Sequence, residues 1–367
     1  RPDLVMISTC LNGQTGPGFI GSNQPVAKQP GDHPGLRPLA KWVRHGKIRI
    51  EDPAVAVRLD RYLAGRFTYR SRTGWARMIE AERILVNGRS CRPSRVVRVG
   101  DRIDYVPRRE PEPPVTVEIP RLWDDAFLLA VNKPPNLPVH PSGRYFRNTL
   151  LCILLAERGE TLDEPGIRIV HRLDRETSGI VLFGKTRVAT AFLARQFERH
   201  RVEKEYLLIV HGLPEEDQFT VAAPLGPAPT SRVRKAVGVA PAGQGRPART
   251  DFVVLARGPE HSLLSARPRT GRLHQIRVHA RHAGYPVAGD KLYGLDEGLF
   301  LKLAGGEPYS DEDRARLLLE RQCLHAWHLR LEHPGTREPF QLTAPWPADM
   351  EGLAQRLGIP LPAALCG

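Results

Sequence analysis

Long apolar runs and paired cysteines are both missing from this sequence. The longest uninterrupted apolar run, residues 150–156, is far shorter than the ~18 residues of a membrane span, so we expect no membrane-spanning helix. The few cysteines lack paired spacing, which argues against a disulfide framework or a CxxC zinc site and favours a reducing compartment. They are Cys10, Cys91, Cys152, Cys323 and Cys366.

Acidic residues are scarce relative to basic ones. The chain has 40 Asp and Glu against 54 Lys and Arg, a net charge of +14. Because each neutralised phosphate releases counterions, this excess favours a nucleic-acid partner, with an anionic membrane surface as the alternative. Arginine suits bidentate phosphate contacts, but an arginine-rich composition is equally typical of a GC-rich genome.

The first part of the chain divides into an arm and a small basic unit. Residues 1–40 are rich in Gly, Pro, Asn and Gln and follow neither helical nor strand periodicity, so we predict a flexible arm. Apolar residues recur at helical spacing from Val57 and again over 71–79, and residues 84–106 favour strands with turns at 87–88 and 100–101. The pattern predicts a helix-helix-hairpin unit over residues 55–107.

Arginines are concentrated in this unit and would give it a cationic face. Its pattern resembles the small RNA-binding domain of the S-four type, first known from a ribosomal protein of the small subunit, whose basic helices grip phosphates. The resemblance implies RNA contacts by Arg58, Arg61 and Arg77. A solvated arginine-rich surface without a partner is the alternative.

A Pro-rich linker is predicted at 108–118, and a larger domain over 119–350. The pattern predicts strands at 127–132, 167–170 and 179–183 and helices at 149–158 and 187–200, before a mixed pattern at 204–211, 252–256, 262–268 and 275–280. Strands outnumber helices, so we predict an α+β fold with a mixed, largely antiparallel sheet. Residues 224–247 are interpreted as a long mobile loop or a hairpin insertion, and 351–367 as a C-terminal tail.

Asp174 lies in the segment HRLDRETSG, residues 171–179, between two of the predicted strands. A loop with rigid flanks suits a reactive group, and the neighbouring Arg172 and Arg175 should keep the carboxylate ionised, so that it can act as nucleophile or base. An isolated Asp in such a turn is more often a helix cap, so the residue alone does not decide between the two interpretations.

Further segments favour the catalytic interpretation. They are VNKP (131–134), VHP (139–141), KEY (204–206), GRLHQIRVH (271–279), GDKLYG (289–294) and LHAW (324–327). Together with HRLDRETSG they resemble, in order and over about residues 57–350, the RluA type of pseudouridine synthase. The resemblance implies an isomerase that detaches uracil from its ribose within RNA, turns the base and rejoins it through a carbon-carbon bond. It implies no metal and no organic cofactor.

The resemblance also assigns roles to single residues. Asp174 would be the catalytic carboxylate, which attacks the anomeric carbon or removes a proton from the neighbouring sugar carbon. Tyr206 would stack on the target base and help to move a proton, and Arg277 would keep the carboxylate charged and aimed. Without the motifs, Tyr206 would be a packed strand residue and Arg277 a surface ion pair.

RNA contacts follow from the same motifs. Arg172 would enter the RNA stack as the uridine is flipped out, with simple phosphate binding as the alternative. The other residues expected to contact RNA are Lys133, Arg175, Arg272 and His274. His171 is expected to be a structural hydrogen-bonding residue.

Two features depart from the expected pattern. Leu273 stands where the family usually has Thr, which we expect to tune activity without abolishing it. His325, His328 and His333 invite a metal interpretation, but no carboxylate or Cys completes a ligand set at suitable spacing, so core or surface histidines are predicted.

We therefore predict a pseudouridine synthase that acts as a monomer on RNA, either rRNA or tRNA, in the cytoplasm and without a membrane partner. An organelle or the nucleus is the alternative location. A non-catalytic RNA-binding or RNA-chaperone protein on the same scaffold is the alternative function; a phosphodiester-cleaving enzyme would need several carboxylates or a His pair. Because the chain opens with Arg1 instead of Met, the sequence does not decide whether a targeting segment has been removed.

Overall fold

The computed structural model describes residues 46–50, 56–67, 71–105, 112–142, 145–162, 164–233, 236–241, 243–305 and 307–365. The predicted arm at 1–40 and the first residues of the predicted linker lie outside these ranges. Linker residues 112–118 have no regular secondary structure. Within the described ranges, no helix has the length and apolar character needed to cross a membrane.

The basic unit combines two helices with short antiparallel strand pairs. Its elements are β1 Gly46–Arg49, β2 Val57–Arg58, α1 Leu59–Arg66, α2 Arg72–Glu80, β3 Ile84–Val86, β4 Val96–Val97 and β5 Arg102–Tyr105. Both predicted helices are confirmed. The hydroxyl of Ser71 accepts from the amide of Gly74 and so caps α2. Leu63, Trp75 and Ile79 lie in the buried core between the helices and the strands.

The predicted hairpin after β3 is only partly right. Asn87 and Gly88 turn the chain with positive φ angles of 56° and 75°, but only the isolated bridge between Val86 and Arg89 follows directly. β3 pairs instead with β5, which also pairs with β1, while β4 pairs with β2. Burial decides this register, because Val86 pairs with Ile103 and both side chains lie in the core.

The larger unit is built on one ten-stranded sheet in which the main strand order is β11-β14-β15-β10-β16-β9-β7-β6, with β17 beside β16 and β8 beside β9. All of these pairs are antiparallel except β16 with β9. The predicted α+β fold with a mixed, largely antiparallel sheet is confirmed. The strands are β6 Arg121–Asp124, β7 Leu128–Lys133, β8 Arg168–Ile169, β9 Ser178–Gly184, β10 Glu203–His211, β11 Gln218–Val221, β14 Thr250–Arg257, β15 His261–Pro268, β16 Leu324–Glu332 and β17 Pro339–Thr343.

Helices cover both faces of this sheet. They are α3 Leu150–Glu157, α4 Arg187–Glu198, α5 Gln275–His282, α6 Gly298–Gly305, α7 Asp311–Leu317, α8 Ala348–Arg356 and a 3-10 helix at Ala363–Leu365. The predicted helices at 149–158 and 187–200 are confirmed as α3 and α4, which Thr149 and Thr186 cap. Within 224–247, β12 Leu225–Pro227 pairs with β13 Val237–Val239, so the hairpin alternative is confirmed for that segment.

The predicted boundary between catalytic domain and C-terminal tail, at 350–351, is wrong. It falls inside α8, and Met350, Leu353 and Ala354 of this helix are buried in the same core as β10 and β15. Ile359, beyond the helix, is buried there too. Because this apolar surface needs the sheet to cover it, the catalytic unit continues at least to Ile359.

Strand alternation separates the two cores that flank β7 and β9. Leu129 and Val131 pack with the α3 side, whereas Leu128 and Ala130 pack with Leu193 of α4. Both strands therefore have a rigid position in the middle of the sheet, and the loop 170–177 leads directly into β9.

Candidate active site

Asp174 lies in the loop between β8 and β9, beside the one parallel pair of the sheet. Gly179, at the start of β9, has a φ of +110°, and a Cβ there would lie 2.2 Å from the carbonyl oxygen of Ala326. Only glycine permits this approach of β9 to β16. Tyr206 of β10 pairs with Ala326 of β16, which pairs with Gly179, so one row of the sheet links the KEY and HRLDRETSG segments.

Lys133 fixes one side of the catalytic loop from inside the protein. Its side chain is fully buried, and Nζ donates to the carbonyl oxygens of Pro134 (2.8 Å), Leu137 (3.0 Å) and Arg175 (3.0 Å). Burial is the largest cause of a pKa well below the ordinary value for lysine. The prediction that Lys133 contacts RNA is wrong, because its ammonium is enclosed by these carbonyls.

The residues of the loop that follow Arg175 are bound to the segments after α5 and α7 and to β16. Glu176 accepts from Lys291 Nζ at 2.9 Å, Thr177 accepts from Gln322 Nε2 at 2.6 Å, and Ser178 Oγ lies 2.9 Å from His325 Nδ1. Together with the bond from Lys133 to the carbonyl oxygen of Arg175, these bonds hold residues 175–178, which directly follow Asp174, so its carboxylate is presented by a fixed loop.

Arg277, in the first turn of α5, is the direct partner of Asp174. Its Nη1 donates to Asp174 Oδ2 at 2.9 Å, and its Nε and Nη2 donate to the two oxygens of Asp290 at 2.6 and 2.8 Å. Burial alone would raise the pKa of Asp174, but its surroundings lower that pKa, and the charge of Arg277 is the largest of the opposing causes. The carboxylate is therefore ionised at neutral pH.

Sequence reasoning did not single out Asp290, although the GDKLYG segment contains it. The side chain is fully buried, and its Oδ1 also accepts from the amides of Leu292 and Tyr293, both at 2.9 Å. Gly289 permits the turn: it has a φ of +73°, and a Cβ would lie 1.9 Å from the carbonyl oxygen of Arg321. Gln322, the other bracing residue that sequence reasoning missed, belongs to no recognisable motif.

Tyr206 has a half-buried ring that packs against two hydrophobic clusters, one built on β10 and β15 and one on α3, β7 and β9. Its hydroxyl has no hydrogen-bond partner among the residues that the structure describes. Burial is the larger cause, and the charge of Asp174 the smaller one, of a raised pKa for this phenol. The charge of Asp174 thus acts on the Tyr206 phenol. Because its pKa is raised, the phenol keeps its proton at neutral pH.

His274 precedes α5 and faces the same carboxylate. Its Nε2 lies 3.9 Å from Asp174 Oδ1, and its Nδ1 lies 2.8 Å from the hydroxyl of Tyr293. Tyr293 in turn lies under Arg277, whose guanidinium carbon is 4.9 Å from the ring centroid. Three predicted site residues, Asp174, Arg277 and His274, therefore meet in one place.

The remaining arginines near the site differ in whether their guanidinium groups are hydrogen-bonded within the protein. Arg172 is exposed and has no partner among the described residues. Arg175 donates to Glu176 (2.8 Å) and to the hydroxyl of Tyr145 (3.3 Å), so its guanidinium is partly committed within the protein. Arg272, which is partly exposed, donates to the carbonyl oxygen of Pro247.

The three arginines of the basic unit that are predicted to contact RNA differ in the same way. Arg58 makes two hydrogen bonds of 3.1 Å to the buried Asp60, which Arg72 also contacts at 2.8 Å. Arg61 and Arg77 are exposed and unpaired within the part of the chain that the structure describes. Arg61 and Arg77 thus offer free guanidinium groups, whereas Arg58 also serves the fold.

The C-terminal histidines bind three separate partners. His325 contacts Ser178, His328 contacts Thr343, and His333 lies 2.8 Å from Asp125. Over the described ranges, no group of three or more His, Cys, Asp or Glu side chains could hold a metal ion.

Two family models match the chain. The one described as RNA pseudouridylate synthase matches residues 127–282, which include Asp174, Tyr206 and Arg277. The one described as S4 domain matches residues 57–103.

Relatives match over most of their length. An uncharacterized RNA pseudouridine synthase of Chloroflexus aurantiacus is 38% identical over 320 residues, which cover 84% of this chain and 93% of the relative. Ribosomal large subunit pseudouridine synthase D of Nitrosomonas europaea is 33% identical over 315 residues, covering 85% and 87%. The solved structure of human RNA pseudouridylate synthase domain containing 4 is 26% identical, with a TM-score of 0.52, and the match covers 66% of this chain and 94% of that one.

Proposed function

The chain belongs to the RNA pseudouridine synthase family, and from that premise we propose that it isomerises specific uridines of rRNA or tRNA, using a flipped nucleotide and the carboxylate of Asp174. The observation that carries this proposal is the 2.9 Å contact between Arg277 and Asp174, on a loop whose next four residues, 175–178, are all hydrogen-bonded to other segments. An anion held in this way is pre-organised for chemistry at an electron-poor sugar carbon.

The reaction breaks the bond between N1 of uracil and C1′ of ribose and forms a bond between C5 and C1′. C5 releases its proton and N1 takes one up, so the product is an isomer of uridine. Asp174 either attacks C1′ as a nucleophile or removes the C2′ proton to give a glycal. Both routes require the ionised form of the carboxylate, which Arg277 favours. Tyr206 would stack on the uracil, and its phenol would assist the movement of a proton.

Base flipping is supported by the freedom of Arg172. A uridine inside a stacked RNA segment cannot reach Asp174, so the nucleotide must leave the stack at a cost of a few kcal/mol. Arg172 is exposed, two residues before Asp174, and its guanidinium is not held by any described residue. It can therefore occupy the space that the uracil leaves.

The basic unit would add affinity to the catalytic one. In this proposal the small domain over 55–107 holds RNA through Arg61 and Arg77, while the larger domain performs the reaction. The names of relatives such as ribosomal large subunit pseudouridine synthase D favour rRNA over tRNA. The proposal includes action as a monomer in the cytoplasm.

Substitution of Asp174 by Asn tests the proposal. The amide keeps the size of the side chain but not its charge, so tritium release from RNA labelled with [5-³H]uridine should fall to background while RNA binding persists. Asp217→Asn is the control, because the Asp217 side chain is 80% exposed. Isomerisation by the Asp174 variant at the normal rate would refute the role of Asp174. A wild-type protein that binds RNA without tritium release would favour the RNA-chaperone alternative.

The target is found by mapping pseudouridines in RNA from cells that lack the protein. Sites that disappear in these cells and return when wild-type protein, but not the Asp174 variant, is supplied identify the substrate. Disappearance of sites from tRNA alone would overturn the preference for rRNA.

A further inference from the structure

His274 has a strained backbone at the entrance to α5. Its φ of 56° and ψ of 16° are left-handed, a conformation that is unfavourable for L-residues other than glycine. A non-glycine residue held in this conformation beside a reactive carboxylate suggests that its side chain is needed there.

A chain of two hydrogen bonds favours one position for the proton of His274. The amide of Val237, in β13, donates to the hydroxyl oxygen of Tyr293 at 2.8 Å. Tyr293 is buried, and its hydroxyl lies 2.8 Å from His274 Nδ1. Because the Val237 amide already donates to the phenol oxygen, we infer that the hydroxyl proton points to Nδ1. A histidine that accepts at Nδ1 is a donor at Nε2. The hairpin β12–β13 therefore reaches the site through Tyr293.

The position of Asp174 also favours a proton on Nε2, because this nitrogen faces the carboxylate. His274 Nε2 lies 3.9 Å from Asp174 Oδ1, which is beyond hydrogen-bond distance. The opposite tautomer would direct a lone pair at the carboxylate and leave the Tyr293 proton without this acceptor. Burial is the largest cause of a lowered pKa for His274, so the ring is neutral and presents a single N–H beside the carboxylate.

We propose that His274 donates a hydrogen bond from Nε2 to an oxygen of the target nucleotide beside Asp174, and that Tyr293 is the positioning residue that fixes this donor. The inference rests on the proposed function, since it names a further contact within the same site. The acceptor is a ribose hydroxyl or a uracil carbonyl, both of which are neutral oxygens that such a donor recognises.

Two substitutions of His274 separate donation from a structural role. Asn tolerates the left-handed backbone best but carries its amide at the level of Nδ1, whereas Gln places an amide N–H near the position of Nε2. Donation predicts that His274→Asn lowers kcat/KM for tritium release by about tenfold, while His274→Gln retains more activity. Equal or higher activity of the Asn variant would overturn the proposal.

Tritium release by the wild-type protein distinguishes failure of this proposal from failure of the proposed function. Absence of tritium release by wild type would refute the function itself. Release by wild type, together with equal or greater activity of the Asn variant than of the Gln variant, would refute only the donation by His274.

Tyr293→Phe tests the positioning step. The variant keeps the ring under Arg277 but loses the hydroxyl. In two-bond ¹H–¹⁵N spectra of protein labelled with ¹⁵N-histidine, wild-type His274 should show the Nε2–H tautomer, with its signals assigned by their loss in His274→Gln. The Phe variant should shift toward Nδ1–H and lose activity several-fold. An Nδ1–H tautomer in the wild type would contradict the proposal.

A synthetic RNA centred on the mapped uridine distinguishes the two acceptors. If the acceptor is the 2′-hydroxyl, His274→Asn weakens binding of the uridine RNA but not of the 2′-deoxyuridine RNA. If it is another oxygen of the nucleotide, the variant weakens both equally. Unchanged binding of both RNAs, combined with unchanged kcat, would refute the contact.

Discussion

Arg277 and Asp290 form the buried ion pair on which the site depends. The guanidinium makes two hydrogen bonds to Asp290, of 2.6 and 2.8 Å, and still has Nη1 free to reach Asp174. The Asp290 side chain is 0% exposed and that of Arg277 8%, so neither charge is tolerable without the other. Asp290 balances the charge of Arg277, and Asp174 therefore keeps a negative charge that is available for chemistry.

Asp290→Asn should damage both stability and catalysis. The amide accepts fewer hydrogen bonds and no longer balances the guanidinium, so we expect the free energy of unfolding to fall by about 3 kcal/mol. With Arg277 held less firmly, kcat should fall by about tenfold or more while the affinity for RNA persists. Urea unfolding and tritium release measure the two effects.

Asp251→Asn is the matched control for this substitution. Asp251 also contacts two arginines, Arg249 and Arg269, but their side chains are more than half exposed. Surface pairs of this kind contribute about 1 kcal/mol or less. Equal losses of stability in the Asp290 and Asp251 variants would contradict the importance of the buried pair.

The sequence predicted the reacting groups of this site better than their supports. Asp174 and Arg277 lie in recognisable motifs and meet at 2.9 Å. Lys133 lies in such a motif as well. The motif does not show, however, that backbone carbonyl oxygens enclose the Lys133 ammonium inside the protein. Gln322 carries no sequence signal, because its contact with Thr177 is made between segments far apart in the chain.

The fold shows the same division between local and long-range information. Helices α1 to α4 follow from apolar spacing, and α2 to α4 also from their N-caps, all of which are local properties. The pairing of β3 with β5, and the burial of α8 against β10 and β15, are long-range contacts. Local patterns therefore predict a tail over 351–367, although Leu353 and Ile359 are core residues.

Gly179→Ala should strongly destabilise the catalytic unit. The new methyl group would collide with the backbone of Ala326, and a φ of +110° is unfavourable for alanine. We expect a loss of about 3 kcal/mol or more, because β9 and β16 must separate. Gly352→Ala, in the interior of α8 with space around it, should instead stabilise by about 0.5–1 kcal/mol. Calorimetric unfolding of both variants checks the opposite signs, and a loss in both would contradict the close approach of the strands.

His171 should make stability depend on pH. Burial, followed by the charge of Lys204, lowers the pKa of His171 to about 3, against about 6.5 in an unfolded chain. Between these values the unfolded state binds the extra proton, so stability is lost as the pH falls from about 6.5 towards about 3. The contribution between pH 7 and pH 5 is about 2 kcal/mol.

His171→Gln should reduce this pH dependence. The ring nitrogen Nε2 accepts from the amide of Leu182, a bond that an amide oxygen can replace. We expect the difference in unfolding free energy between pH 7 and pH 5 to shrink by about 2 kcal/mol relative to wild type. His200→Gln, at an exposed position, is the control and should leave the difference in place. An unchanged difference in the His171 variant would show that this imidazole does not stay neutral in the fold.

Arg172→Ala should impair the reaction on structured RNA more than on unstructured RNA. An exposed guanidinium that replaces the flipped base offsets part of the unstacking cost, which a single-stranded target hardly has. We expect kcat/KM to fall by about tenfold or more on a stem-loop that contains the mapped uridine and by a smaller factor on an unpaired oligonucleotide of the same sequence. Arg267→Ala removes an arginine that is also exposed but paired with Glu205, and it should affect both RNAs equally. An equal loss on both RNAs in the Arg172 variant would instead identify a phosphate contact, because loss of phosphate binding weakens all RNAs alike.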